Sequence, residues 1–81
     1  MLAPNGIIYG IPCNANSVLR IDPLRLEVST IGDLPSGKDK YQGGVLASDG
    51  TIYCVPENAE RVLRIVPGSA SDPGSDKLSL V

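Results

Sequence analysis

The chain reads as all-β, two consecutive four-stranded antiparallel blades of β-propeller type that together make a partial propeller, and three observations predict it. Residues 2–23, LAPNGIIYGIPCNANSVLRIDP, are written again at 46–67 as LASDGTIYCVPENAERVLRIVP, identical at 13 of 22 positions with a constant offset of 44. A period of about 40 to 45 residues with several short strands per unit is the spacing of propeller blades. Asn5-Gly6 and Asp49-Gly50 stand at matching places between apolar runs, the sequence signal of a tight β-hairpin. Seven prolines and nine glycines in 81 residues favour many turns and short strands over long helices.

In order along the chain, the first unit covers residues 1–37 and the second 38–81. The first unit starts with only Leu2-Ala3 of its inner strand, whereas the second has 43–47 (GGVLA) there. Type I′ turns at Asn5-Gly6 and Asp49-Gly50 follow, since both central positions then need positive φ, which Asn, Asp and Gly tolerate. Second strands at 7–12 and 51–56 come next, then links at 13–17 and 57–61, then third strands at 18–21 (VLRI) and 62–65 (VLRI). Pro23 and Pro67 stop these, because proline cannot donate to a ladder. Residues 26–31 (LEVSTI) supply a fourth strand rich in β-branched side chains, with 78–81 (LSLV) as its counterpart. Residues 32–41 connect the units, and 68–76 (GSASDPGSD) are small, polar and turn-rich, the stretch where disorder is expected.

Alternation along these strands leaves no polar face. Ile7, Tyr9 and Ile11 share one side and Ile8 and Gly10 the other; Leu19 and Ile21 oppose Val18 and Arg20. A sheet apolar on both sides needs a neighbour on both sides. Two units supply one shared interface, so two apolar faces are expected to be left over.

Charge and composition exclude several functions. Seven basic and nine acidic residues give a net charge of −2 with no run of either sign, so nucleic acid is not an expected partner. No apolar run approaches the roughly 20 residues that span a bilayer, and no charged, apolar leader opens the chain. Cys13 aligns with Glu57 and Cys54 with Gly10, so the two cysteines do not form a repeated framework, and reduced thiols in a soluble chain are expected. There is no histidine to act as a base near neutral pH, no Gly-x-Ser-x-Gly, no phosphate loop and no Cys-x-x-Cys. Asp72 and Asp76 flank Gly74 but are too few oxygen ligands for a calcium loop. The sequence therefore predicts no enzyme, no cofactor and no metal.

Six residues stand out for interaction. Arg20 and Arg64 repeat in mid-strand; their stems are expected to pack between units while the guanidinium pairs with a carboxylate such as Asp22, two residues along on the same face. Tyr9 and Tyr53 also repeat, and a tyrosine buries a large ring with one polar tip, which suits a packing surface between units. Leu2 and Ala3 form an open edge where a strand of another chain would pair. Asn14 and Asn58 open the links and are expected to serve turn chemistry, and Gly43-Gly44 to allow close backbone approach.

The pattern LAPNGxIYGIPxNAxxVLxIDP with its Gly-Gly-Val-Leu-Ala restart resembles a tandem blade repeat of β-propeller-like proteins. The likeness covers nearly the whole chain and departs in two places: the first unit lacks the Gly-Gly-Val start, and the last carries 68–76 as an insertion. With no Trp or His in the chain, similarity to WD40 blades is architectural only. The function expected is a non-catalytic structural module for protein–protein association, with copies of itself or inside a larger assembly. The alternatives are an accessory subunit of a multiprotein complex and a fragment of a ligand-binding or enzymatic propeller.

Overall fold

A computed structural model describes all 81 residues. The chain is all-β: seven strands in two antiparallel sheets and one single-turn 3-10 helix. The first sheet has the order β1-β2-β3, with β1 at Ile8–Gly10, β2 at Val18–Asp22 and β3 at Glu27–Ile31. The second has the order β4-β5-β6-β7, with β4 at Tyr41–Leu46, β5 at Ile52–Pro56, β6 at Leu63–Val66 and β7 at Lys77–Leu80. Residues 1–3 lie against β1 as a remnant fourth strand: Leu2 bridges Ile8, Tyr9 N–H donates to Met1 O at 2.8 Å, and Ala3 N–H to Ile7 O at 2.9 Å.

The repeat holds in the pairing. Tyr9 opposes Arg20 and Tyr53 opposes Arg64; Ile8 opposes Ile21 and Ile52 opposes Ile65. The turns differ from the I′ geometry expected. Gly6 N–H donates to Ala3 O and Gly50 N–H to Ala47 O, each at 3.0 Å, which puts Pro4-Asn5 and Ser48-Asp49 at the centre. Only the glycines, at φ 86° and 90°, enter the left-handed region there. This is the type I turn closed by a left-handed glycine, the other common hairpin loop. Proline fixes φ near −65°, so Pro4 at the first central position forbids I′ and suits type I.

Each sheet has an arginine face and an aliphatic face, set by strand alternation. On the first sheet the arginine face carries Tyr9, Val18, Arg20 and Asp22, all buried, while the aliphatic face carries Ile8, Leu19, Ile21 and Val28, none of them buried. On the second sheet the burial reverses. Its aliphatic face, Ile52, Cys54, Leu63 and Ile65, is fully buried, while Tyr53, Val55, Arg64 and Val66 on the arginine face are not. The sheets thus stack head to tail, arginine face of the first on aliphatic face of the second, around one core that also takes Ala3, Ile7, Leu34 and Tyr41. Gly32 lies under Leu78, where a Cβ would overlap its Cδ1, and Gly44 approaches Ile11.

The connection between the sheets is tied down at both ends. Leu34 N–H donates to Asn16 O at 2.7 Å and Lys40 N–H to Cys13 O at 2.9 Å, while Glu57 N–H returns to Lys40 O at 2.8 Å. Asn14 and Asn58 serve this segment rather than their own turns: Asn14 Oδ1 accepts from Asp39 N–H at 2.8 Å, and Asn58 Nδ2 donates to Lys38 O at 3.2 Å. Residues 68–76, expected to be disordered, form a closed loop around the 3-10 turn Pro73–Ser75. Asp72 caps that turn by accepting Gly74 N–H at 3.0 Å, and Ser69 N–H donates to Ser75 Oγ at 2.7 Å. Small polar side chains here satisfy the loop's own backbone, which is what orders it.

Candidate functional site

The loop 68–76 crosses to the first sheet and supplies the carboxylate that Arg20 needs. Arg20 is a cation in the middle of a buried face, and such a charge is tolerated only when paired and hydrogen-bonded. Its Nε donates to Asp76 Oδ2 at 2.7 Å, with both side chains almost wholly buried, and Nη2 donates to Ser69 O and Ala70 O at 3.1 Å each. Asp76 Oδ1 accepts from Tyr9 Oη at 2.9 Å and from Gly68 N–H at 2.7 Å. Asn5 closes the circuit, donating from Nδ2 to Tyr9 Oη and to Gly68 O at 3.1 Å each while its Oδ1 accepts Ile7 N–H at 2.9 Å. No buried side-chain polar atom in the molecule lacks a partner.

Burial pushes the Tyr9 phenol above its ordinary value of 10.0; the Asn5 hydrogen bond works against this and Asp76 adds to it. Arg20 stays protonated: burial opposes its charge, but Asp76 outweighs that and moves its pKa up.

The Arg20–Asp22 pair expected from the sequence does not form. Asp22 turns instead to the tight β2–β3 connection, where Oδ1 accepts from Leu24 N–H at 3.0 Å and Arg25 N–H at 3.1 Å, and Oδ2 meets Arg25 Nη1 at 3.0 Å. Those bonds, first the Arg25 backbone and then its side chain, hold the Asp22 carboxyl below its ordinary value. An aspartate ending a strand satisfies the turn after it before it reaches across the sheet.

Arg64 and Tyr53 occupy the same places in the second sheet with nothing stacked on them. Arg64 makes no ion pair, and the face around it carries Val45 and Val55, each more than half exposed, with Val62 and Val66. Asp49, at the position of Asn5, accepts Thr51 N–H at 3.0 Å; the bonds to the Thr51 backbone and side chain chiefly lower its carboxyl pKa. Of the six residues singled out, Tyr9 and Arg20 thus form one buried network and Tyr53 and Arg64 an open patch of the same design. Ala3 is buried in the core, and Leu2 is exposed on the edge beside β1.

Asp76 is the partner that the sequence did not reveal. Its signal was parity: it precedes Lys77, which pairs with Val66 on the arginine face, so Asp76 points to the opposite side, toward the first sheet. A cleft of about 570 Å³ lies between the 34–41 connection and the 58–61 link, lined in part by Leu34, Lys38, Tyr41, Asn58, Arg61 and Leu80. Lys40 on its wall is already bonded to Ala15 O and Asn16 Oδ1. No group of three or more His, Cys, Asp or Glu is placed to hold a metal. Cys13 and Cys54 are unbridged, and burial raises the Cys54 thiol to about 11. No helix is long and apolar enough to cross a membrane. No protein family, curated protein or solved structure matches the chain.

Proposed function

We propose that the chain is a non-catalytic structural module that works by protein–protein association, its two sheets acting as consecutive blades of propeller type. One observation carries this reading: the head-to-tail stacking uses one face of each sheet and leaves an apolar face of the other kind open on each. The open faces hold Ile8, Leu19, Ile21 and Val28 on one side and Val45, Tyr53, Val55 and Val62 on the other. Contiguous exposed apolar surface of this sort marks association sites. Leaving even about 400 Å² of it in water forgoes on the order of 10 kcal/mol at about 25 cal/mol per Å², comparable to the whole stability of a small domain.

Repeat units of this size bury their faces against neighbours, and about three are usually needed for independent stability. The resemblance to tandem blade repeats supports the same reading. Sedimentation equilibrium of the purified chain at micromolar concentration tests it: association is expected, and a monomer that melts cooperatively with no partner present overturns it.

A further inference from the structure

The open faces also specify what covers them. Inside the molecule, the contact joins an arginine face (Tyr9, Val18, Arg20) to an aliphatic face (Ile52, Leu63, Ile65). The faces left open are again one of each kind. Tyr53, Val62 and Arg64 repeat the first set, and Ile8, Leu19 and Ile21 repeat the second, each at the offset of 44. We propose that the partner is a second copy of this chain, its aliphatic face on the first sheet seated against the open arginine face of the second sheet. This names the partner for the association reading above and rests on it.

The two contacts place their charges differently. In the internal contact the receiving turn carries the neutral Asn5, and the incoming loop brings the carboxylate, Asp76, to Arg20. In the open contact both roles change together. The receiving turn now carries Asp49, which accepts Thr51 N–H, and the incoming connection of a copy carries Leu26 where the second sheet has Asp76. The equivalence follows from register: Asp76 precedes Lys77, which pairs with Val66, and Leu26 precedes Glu27, which pairs with Asp22. In the internal contact the aspartate comes from the incoming side, whereas in the open contact Asp49 and Arg64 both belong to the receiving sheet and the copy brings leucines, with its Arg25 already paired to its own Asp22.

The Pro23–Leu26 connection is shaped for this. Leu24 and Leu26 are 85% and 86% exposed, and Leu26 holds a left-handed φ of 56° that a residue with a Cβ rarely adopts. In the copy these leucines fall over Tyr53, Asp49 and Arg64, as loop 68–76 falls over Tyr9, Asn5 and Arg20 internally. The contact joins two different surfaces, so it propagates head to tail into a closed ring or an open fibre and does not stop at a symmetric pair.

The test uses two full-length variants, each blocked on one face at exposed positions: Leu24→Ser with Leu26→Asn, and separately Val55→Lys. Asparagine accepts the left-handed backbone, and unchanged circular dichroism together with a cooperative melt verifies each fold. Sedimentation velocity should show the parent assembled and each variant alone monomeric at the same concentration, association being weakened by at least roughly tenfold, or about 1.4 kcal/mol. An equimolar mixture should form a species of two chains and nothing larger, since one intact face of each kind remains. Variants that assemble like the parent, or a mixture that stays monomeric, overturn the inference. An assembled parent indifferent to both substitutions leaves the association reading standing without this interface; a stable monomeric parent removes both.

Discussion

Arg20 and Arg64 sit in the same tetrapeptide, VLRI, at the same register opposite a tyrosine, yet one is sealed into a network with the Asp76, Tyr9 and Asn5 side chains and the carbonyls of Gly68, Ser69 and Ala70, and the other lies on an open face. Neither its own strand nor its cross-strand partner makes the difference. What differs is the neighbour: the second sheet sends loop 68–76 over Arg20, and within one chain nothing plays that part for Arg64. A repeat position thus acquires its surroundings from the unit stacked on it, and identical residues in successive units are core in one and lie on an open face in the other.

Breaking the buried network has the largest expected effect. Asp76→Ala leaves the Arg20 charge buried without its anion, a loss of about 3–5 kcal/mol, whereas Arg64→Ala on the open face should stay within about 1 kcal/mol. Urea unfolding of the two variants at one fixed chain concentration measures both. The aliphatic positions sharpen the contrast next. Leu63 is fully buried and its repeat mate Leu19 is 40% exposed. Leu63→Ala should therefore cost about 2–5 kcal/mol through the cavity it leaves, and Leu19→Ala about 1 kcal/mol or less within the chain, with thermal midpoints extrapolated to low chain concentration as the readout.

Alkaline titration probes the same asymmetry more gently. Tyr9 and Tyr41 are raised above 10.0 and Cys54 from 9.0 to about 11, in each case chiefly by burial. The folded state holds these protons more tightly than the unfolded chain does. The Cys54 contribution is complete below about pH 9 and is lost as pH climbs through 9 to 11, and that of the tyrosines is complete below about pH 10 and is lost above it. Tyr9→Phe should flatten that decline, and an unchanged pH slope would contradict the buried phenol. The smallest effect concerns the thiols: iodoacetamide at pH 8 should label Cys13 well before Cys54, which is fully buried. Equal rates in the native protein would show that the aliphatic face of the second sheet is not closed.

Most of the fold was legible in the sequence, because a repeat with matched turns and β-branched runs constrains strand positions strongly. Every expected strand is present within a few residues, including the remnant at Leu2-Ala3. The partner of Arg20 was not legible. Asp22 is near in sequence and has the right charge, but the backbone it caps is nearer still. Loop 68–76 has the composition of a disordered linker, since the small polar residues that solvate a free segment also cap a folded one. The turn type could have been read from Pro4, whose fixed φ places the turn one residue earlier than Asn5-Gly6 suggests. The division of each sheet into an arginine and an aliphatic face was written in the alternation, but which face would be covered depended on stacking order, which a strand pattern does not encode.

The second sheet covers the arginine face of the first and leaves its own uncovered. A pair of double-mutant cycles measures it most directly, coupling Arg20→Ala with Asp76→Ala and Arg64→Ala with Asp76→Ala in unfolding free energy. A coupling of about 1.5–3 kcal/mol is expected for Arg20 and near zero for Arg64; coupling of Asp76 to Arg64, or to neither arginine, would contradict this stacking.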